Sequence, residues 1–449
     1  MKPYYQSDSV CVYNADVLDA LRAMPSESVH CVITSPPYHG LRDYGTAKWE
    51  GGSAECDHKE RNARNDPDRD TRHTDGRDPA TQGLVGCQDA IQYRDTCRKC
   101  GAVRVDKQIG LEPTFNDWLV KMVEVFREVK RVLRSDGTCW INCGDGYAGS
   151  QQTGGNGKRR DGGRKRLDEL RVSQADVKTV SHLPPKSLLM MPARLAIAMQ
   201  EDGWLLRSDI AWVKRAPMPE SVRDRPSKSY EHLFMFAKSG RYYYDAFAVR
   251  EPAQDWGTRD RSNMRNGTTD PKLKHHGLTD CNSEASGRNL RDVWWLSPEP
   301  SNLSHYAAYP RALVRPCIRA GTSEKGCCPK CGAGWVRVTA IEDKPLAWKS
   351  GNPGLMTIGK SYHKDHGEGT RGCATLGWKP GCACGIDTVE PATVLDIFLG
   401  SGTTALVAIE EGRRCWGIEL NRDYCDMAVK RLRDRAPLFA TAGEGEGLL

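Results

Sequence analysis

The chain lacks any apolar run of about 18 residues, so no bilayer-crossing helix is expected. Its N-terminus also lacks the basic-then-apolar pattern of a signal peptide. A soluble, cytoplasmic protein with no membrane contact is the expectation. Neither sign of charge dominates: 65 Lys and Arg stand against 58 Asp and Glu, a net +7. That balance permits a polyanionic partner and demands none. Apolar residues make up 39% of 449, enough to core two or three domains while leaving much polar surface or loop. Cysteine, by contrast, is plentiful at 18. In a reducing compartment, paired Cys-x-x-Cys groups point to metal more often than to disulfides.

Val29 to Thr34 is a short apolar run that stops at Ser35-Pro36-Pro37. Two prolines end strand pairing, which puts them on a loop just past a strand. From Cys56 to about Cys100 periodicity vanishes, as in an insertion. Leu119, Met122, Val123, Phe126, Val129 and Leu133 then recur at helical spacing. Gly137 is expected to break that helix, and Thr138 to Asn142 to form a buried strand. Ser187 to Gln200 and Tyr309 to Arg319 read as helices, the second opened by Pro310. Trp204 to Lys214 and His232 to Lys238 read as strands. Gln151 to Val180 is rich in Gly and charge, including Lys158-Arg159-Arg160 and Arg164-Lys165-Arg166. It reads as a mobile loop, either tracking a phosphate backbone or simply solvated. Glu251 to Asn289 is polar and unpatterned, and Cys327 to Cys384 is a second cysteine-bearing insertion. The pair Trp294-Trp295 is expected in the core.

The clearest stretch is the last. Val394-Leu395-Asp396 reads as a strand, Thr403 to Glu410 as a helix, Arg414 to Leu420 as a strand and Tyr424 to Leu432 as a helix. Between the first two, Gly400 and Gly402 allow a tight turn and close approach of a ligand. Glu419 ends the second strand, where a carboxylate can accept hydrogen bonds from ribose hydroxyls. The loop has neither the lysine of a phosphate-cradling loop nor the third glycine of the dinucleotide fingerprint. Both absences favour a ligand without a pyrophosphate, commonly S-adenosylmethionine (SAM). Only about fifty residues follow Asp396, roughly one βαβ unit. The remaining strands of a doubly wound sheet must come from upstream, as in a circularly permuted fold.

The loop Ser35-Pro36-Pro37-Tyr38 fits chemistry on an exocyclic base amine, whose lone pair is delocalised into the ring. Hydrogen-bond acceptors around the NH2 pull it toward tetrahedral geometry and steady the developing charge. Ser35 and the carbonyl of Pro36 are such acceptors, and prolines donate no N–H. Tyr38 can stack on a base extruded from the duplex.

Together these motifs resemble a beta-group DNA amino-methyltransferase, in which the base clamp precedes the target-recognition region and the SAM loop comes last. The form Ile33-Thr34-Ser35-Pro36-Pro37-Tyr38 resembles the cytosine-N4 branch; the adenine-N6 branch usually has Asp or Asn where Ser35 stands. Asp396, Phe398, Gly400, Ser401, Gly402, Thr403 and Thr404 match the SAM-loop pattern, with Ile397 replacing the usual proline. Asn14-Ala15-Asp16-Val17 resembles the segment that touches the adenine of SAM, with Asp16 as the contact. His305 to Pro310 resembles the segment that closes the cofactor pocket. The resemblance implies an α/β enzyme with a doubly wound, mostly parallel sheet and two small Cys-rich insertions. It further implies SAM as methyl donor, double-stranded DNA with its target base flipped out as partner, and a bacterial or phage-infected cell as setting. A companion restriction endonuclease is compatible with it. Catalytic roles fall to Ser35, Pro36, Pro37 and Tyr38, and cofactor contacts to Asp16, Pro310, Asp396, Phe398, Gly400, Ser401, Gly402, Thr403 and Glu419. The expected layout has the base-clamp loop in residues 1–50, an insertion at 51–107, core at 108–250 with the basic loop 151–180, and target recognition at 251–292. Core at 293–322, a second insertion at 323–387, the SAM unit at 388–435 and a tail at 436–449 follow.

Cys97-Arg98-Lys99-Cys100-Gly101-Ala102 and Cys328-Pro329-Lys330-Cys331-Gly332-Ala333 nearly repeat each other. Each is a two-ligand knuckle, and tetrahedral zinc needs four ligands. Cys56 and His58 are the best partners for the first, with Cys87 as a rival. Cys382 and Cys384 are the best for the second, with Cys327 and Cys373 as rivals. One or two structural zinc ions are expected. Cys139, Cys143 and Cys415 fall in apolar strands and are expected in the core. Cytosine N4 leads as acceptor and adenine N6 follows. A non-catalytic zinc-ribbon protein that binds nucleic acid and a methyltransferase acting on RNA or protein glutamine are more remote alternatives.

Overall fold

The computed structural model describes residues 1–39, 46–58, 96–112, 114–148, 183–217, 219–252, 288–299, 309–339 and 375–435. The expected basic loop, most of the expected target-recognition region, residues 305–308, Cys87, Cys373 and the tail lie outside them. The chain divides into two compact units: 1–38, 114–150 and 179–449 form one, and 39–113 with 151–178 the other.

The larger unit is built on a nine-stranded sheet. Its strands are β1 (Tyr5–Gln6), β2 (Val10–Asn14), β3 (Val29–Thr34), β6 (Leu133–Cys143), β7 (Leu205–Lys214), β8 (Tyr230–Ala237), β9 (Val293–Leu296), β12 (Thr393–Asp396) and β13 (Arg414–Glu419). Their spatial order is β1-β2-β13-β12-β3-β6-β8-β7-β9. From β2 to β6 all neighbours are parallel, whereas β8 is antiparallel to both β6 and β7. The C-terminal strands thus fill the gap between β2 and β3, which makes the permuted, doubly wound α/β arrangement. A hairpin of β10 (Val336–Thr339) and β11 (Thr375–Lys379) lies in the same unit.

Alternation along the strands supplies two apolar faces. Cys31 and Ile33 of β3 belong to the cluster formed with the helices α4 (Arg311–Gly321), α5 (Thr403–Glu410) and α6 (Arg422–Arg435). The other buried residues of β3, such as Val32, are absent from that cluster. A second row of mutually packed helices comprises α1 (Val17–Ala23), α2 (Phe115–Val132) and α3 (Met191–Glu201). A capping box starts α2: Thr114 Oγ1 accepts from the Asp117 amide at 3.2 Å, and Asp117 Oδ2 accepts from the Thr114 amide at 3.2 Å.

Local details correct the sequence expectations. Trp118 and Val125 are buried on α2, while Leu119 and Val123 sit half-buried on its flank. The helix ends at Val132, and Gly137 lies inside β6 instead of breaking the helix. A Cβ there would stand 2.6 Å from Leu133 Cδ1 and 3.0 Å from the His30 carbonyl, so close strand packing demands the glycine. Helix α3 begins at Met191, because Leu188 instead bridges to Tyr147 and Met190 adopts a left-handed conformation. Trp294 is buried, but Trp295 is 59% exposed, since neighbours on the edge strand β9 point to opposite sides. Cys139, Cys143 and Cys415 are buried as expected. Among the described residues no helix is long and apolar enough to cross a membrane.

The smaller unit contributes a two-stranded sheet, β4 (Lys48–Glu50) against β5 (Val103–Val105). Trp49 stacks on the ring of His58 at 4.6 Å beside it.

Candidate active site

Both motif loops leave the carboxyl ends of neighbouring parallel strands. Strand β3 pairs with β12 through Cys31 opposite Val394 and Val32 opposite Leu395. At the ends of those strands Thr34 Oγ1 donates to Asp396 Oδ1 at 2.8 Å, across 362 positions of sequence. Ligands of open α/β sheets bind in the crevice beyond such strand ends.

Asp396 is the organiser of this junction. Its Oδ1 accepts from Thr34 and from the Phe398 amide at 3.1 Å, and its Oδ2 accepts from Thr404 Oγ1 at 2.7 Å and Tyr309 OH at 2.9 Å. The residue is 1% exposed. Burial raises its pKa, and the hydroxyl and amide donors pull against that rise. Asp396, expected among the cofactor contacts, is placed here with its oxygens binding the two loops and Tyr309 together. Ser401 and Thr403, expected beside it, lie at the glycine turn that follows. Both are buried, and Arg431 of α6 donates to Ser401 O at 3.2 Å, Ser401 Oγ at 3.4 Å and Thr403 Oγ1 at 2.8 Å. They hold the turn onto α6.

The turn itself follows from its glycines. Gly400 has φ +52° and Gly402 φ +78°, conformations that cost a side chain. At Gly402 a Cβ would also stand 3.0 Å from that of Ala428, so this glycine serves the packing of α6. Gly400 N donates to Glu419 Oε2 at 2.8 Å, and Asn421 N donates to Oε1 at 2.8 Å. Burial nevertheless pushes the Glu419 carboxyl up to about 7; those amides oppose the rise and the charge of Asp396 adds to it. Phe398 is half-buried in the same turn. Asn14 of β2 faces Glu419 across the sheet, and its Nδ2 donates to the carbonyls of Glu419 at 3.0 Å and Leu420 at 2.9 Å. Asp16 follows, and its Oδ1 caps α1 by accepting from Leu18 N at 3.0 Å and Asp19 N at 3.2 Å. Pro310 is the N-cap of α4, next to Tyr309. The turn, Glu419, Asp16 and the Tyr309-Pro310 step thus surround one end of the sheet. The carboxylates of Glu419 and Asp16 are acceptors of the kind that ribose hydroxyls require, and none of these described residues is a lysine for a pyrophosphate.

On the clamp side, Pro36 is buried, and Ser35, Pro37 and Tyr38 are half-buried. The carbonyl of Pro37 accepts from Trp118 Nε1 at 3.0 Å, which fixes the loop on α2. Tyr38 OH donates to Glu231 Oε2 at 3.0 Å, and burial with the Glu231 charge raises the phenol well above its ordinary pKa. Its ring lies against Gly144, where a Cβ would stand 2.8 Å from Tyr38 Cε2. Glu231 also accepts from Asn142 Nδ2 at 3.2 Å and from Lys214 Nζ at 2.5 Å. Lys228 Nζ donates to the Asp145 carbonyl at 2.5 Å, and burial lowers its pKa. Asn142 and Lys214 were not singled out in the sequence, whereas Lys228 and Glu231 fall in the stretch Asp224 to His232, which resembles a segment of these methyltransferases, with no role assigned to either. The available signal was the polar Asn142 ending an apolar strand just before Gly144.

The cysteine motifs assemble as two groups. Cys56, His58, Cys97 and Cys100 form one, Cys328, Cys331, Cys382 and Cys384 the other, with ligand atoms in each group within 4.8 Å of one another. Cys327 stands apart, its Sγ donating to the Glu390 carbonyl at 3.2 Å.

Comparison with known proteins identifies the family. The sequence matches the DNA methylase profile N6_N4_Mtase over residues 29–332 and 388–430. The chain belongs to that DNA methylase family. Type II methyltransferase M.Cfr9I of Citrobacter freundii is 32% identical over 422 residues, covering 94% of this chain and 87% of that protein. M.XycI of Xanthomonas campestris pv. cyanopsidis is 32% identical over 423 residues, with the same coverage of 94% and 87%. Among solved structures, PvuII DNA methyltransferase (cytosine-N4-specific) aligns with a TM-score of 0.46 at 14% identity, over 99% of this chain and 91% of that one. The methylase is thus a DNA methyltransferase of the N4/N6 family.

Proposed function

We propose that this methylase transfers a methyl group from SAM to the exocyclic N4 amine of cytosine in duplex DNA. The observation that carries the proposal is the Thr34–Asp396 bond, which joins the clamp loop to the glycine turn at one sheet end. A donor site on one loop and an acceptor site on the other then face a common crevice. SAM supplies an electrophilic methyl on a sulfonium sulfur. Phe398, Gly400, Glu419, Asp16 and Pro310 are the residues that would hold it, with Glu419 accepting from ribose hydroxyls.

Ser35 Oγ and the Pro36 carbonyl accept from the two amine hydrogens and turn the nitrogen lone pair toward the methyl. Tyr38, tethered by Glu231 and backed by Gly144, stacks on the flipped base. Ser35 Oγ and the Pro36 carbonyl then steady the cationic methylated amine, SAM having given up its methyl and left as the neutral thioether, until that amine loses one proton to solvent. No nucleophilic side chain takes part. Serine at position 35 favours cytosine N4 over adenine N6. The names of the relatives suggest a type II restriction–modification setting, with a companion endonuclease.

Nucleoside analysis of DNA methylated by the purified protein tests this reading. N4-methylcytosine is expected; N6-methyladenine overturns the choice of base, and no modified base overturns the activity.

A further inference from the structure

We propose that each cysteine group holds one structural zinc ion, and that the ion of the Cys328 group braces the sheet end from which both motif strands start. The first observation is the spacing of the donors. With Zn–S near 2.3 Å and Zn–N near 2.0–2.1 Å, a tetrahedron has S···S edges of about 3.8 Å and S···N edges of about 3.6 Å. Cys56 Sγ and Cys97 Sγ stand 3.8 Å apart, and Cys100 Sγ and His58 Nδ1 stand 3.5 Å apart.

The second observation is a repeated backbone. In the first knuckle Cys97 N donates to Ala102 O at 2.8 Å and Gly101 N to Cys97 O at 2.8 Å. In the second, Cys328 N donates to Ala333 O at 2.9 Å and Gly332 N to Cys328 O at 2.7 Å. Each is flanked by a bridge of the same span, Thr96 to Val103 and Cys327 to Gly334. Gly101 and Gly332 share a left-handed φ, +73° and +72°. Two separate insertions have therefore built the same two-ligand turn, and each has found two more donors across its own insertion. Sulfur donors in a closed set of four select zinc and leave no position for a substrate.

The brace is specific to the second site. His30, near the start of β3, has its Nε2 3.0 Å from the Gly332 carbonyl, while its Nδ1 accepts from Thr393 N, the first residue of β12, at 3.0 Å. The ring therefore donates through Nε2. Arg134 of β6 donates to the Cys331 carbonyl at 2.5 Å and pairs with Asp136 at 2.8 Å. The knuckle carbonyls thus hold β3 and β6 directly, and β12 through the His30 ring, at the end opposite the motif loops. A metal that fixes the knuckle also fixes the relative placement of β3 and β12.

Metal analysis of the full-length protein, purified without a metal-chelating column, is expected to give two zinc per chain. Cys97→Ser and Cys384→Ser are each expected to lose one. Wild-type X-ray absorption is expected to show a sulfur-dominated shell with a minor nitrogen contribution, a reading that stands even if a variant does not fold. Stripping zinc with a chelator is expected to speed amide exchange in residues 30–33 and 393–396. Trace metal only, iron in place of zinc, or intramolecular disulfides among these cysteines overturns the metal assignment. A variant that keeps both ions overturns it for its own group, and unchanged exchange in β3 and β12 after stripping overturns the brace. None of these measurements depends on methyl transfer.

Discussion

Glu419 gives the sharpest test of how the methylase holds its cofactor. Its carboxyl is buried and pushed up to about 7. A carboxylate accepts from ribose hydroxyls far better than a carboxylic acid, so binding selects the ionised form. With a pKa of about 7, roughly 9% of the chains are ionised at pH 6 and roughly 91% at pH 8. The apparent affinity for SAM should therefore rise about tenfold between those values, about 1.4 kcal/mol, and binding below pH 7 should release a proton. The SAM-free protein should respond in the opposite sense. A folded pKa above the ordinary 4.5 means this group's stabilising contribution is complete below about 4.5 and is lost as pH rises through about 7. Calorimetry in buffers of differing ionisation enthalpy, at both pH values, measures affinity and proton release together. Glu419→Gln should bind more weakly and with a flat pH profile, and its melting temperature should fall less between pH 5 and pH 7. An unchanged tenfold slope in the Gln variant, or a flat profile in the wild type, would refute the assignment.

Ser35→Ala should lower kcat by about 10²-fold while leaving the Kd for SAM within twofold, since it removes one acceptor from the amine; a loss expressed only in SAM affinity contradicts the clamp role. Tyr38→Ala should weaken the capture of DNA carrying an unpaired target base by about 1–3 kcal/mol, whereas Tyr38→Phe should keep most of it; equal losses would mean that the Glu231 bond, not the ring, matters. Asp396→Ala leaves Thr34, Thr404, Tyr309 and the Phe398 amide without their acceptor, so unfolding should become easier by about 3 kcal/mol or more in denaturant titration. Arg131→Ala removes bonds to the carbonyls of Leu21 and Met24 that tie α2 to α1, and should cost about 1–3 kcal/mol by the same assay with SAM binding retained.

Much of this molecule is legible in local pattern. Val29–Thr34 and Thr403–Glu410 agree with their sequence-read limits because one run is bounded by prolines and the other opens at Gly402. Gly137 misled because a glycine after a helical pattern resembles a stop, whereas a tight strand-to-strand contact demands it. Ser401 and Thr403 were named because they match the SAM-loop pattern, and the bonds that hold them in the fold were not legible there. Their partner, Arg431, lies about thirty residues on, and no spacing rule ties a helix arginine to a loop hydroxyl. That Glu231, Lys214 and Asn142 form one group was not legible for a related reason. It exists only where β6, β8 and β7 lie side by side, and that antiparallel register is a tertiary fact.

The placement of β12 and β13 has a consequence for the order of assembly. A ribosome releases β2 and β3 early, yet they cannot become near neighbours until the C-terminal strands slot between them. Until then the nascent chain carries open strand edges and an unfilled cleft, a state that favours wrong pairing. Pairings of such long sequence separation also close slowly. A stop codon before Thr393 would thus remove only the last 57 of 449 residues, yet leave the sheet with its central ladder missing. Rejoining the chain so that β12 and β13 emerge ahead of β3 should let the sheet grow strand by strand and raise the yield of refolded protein.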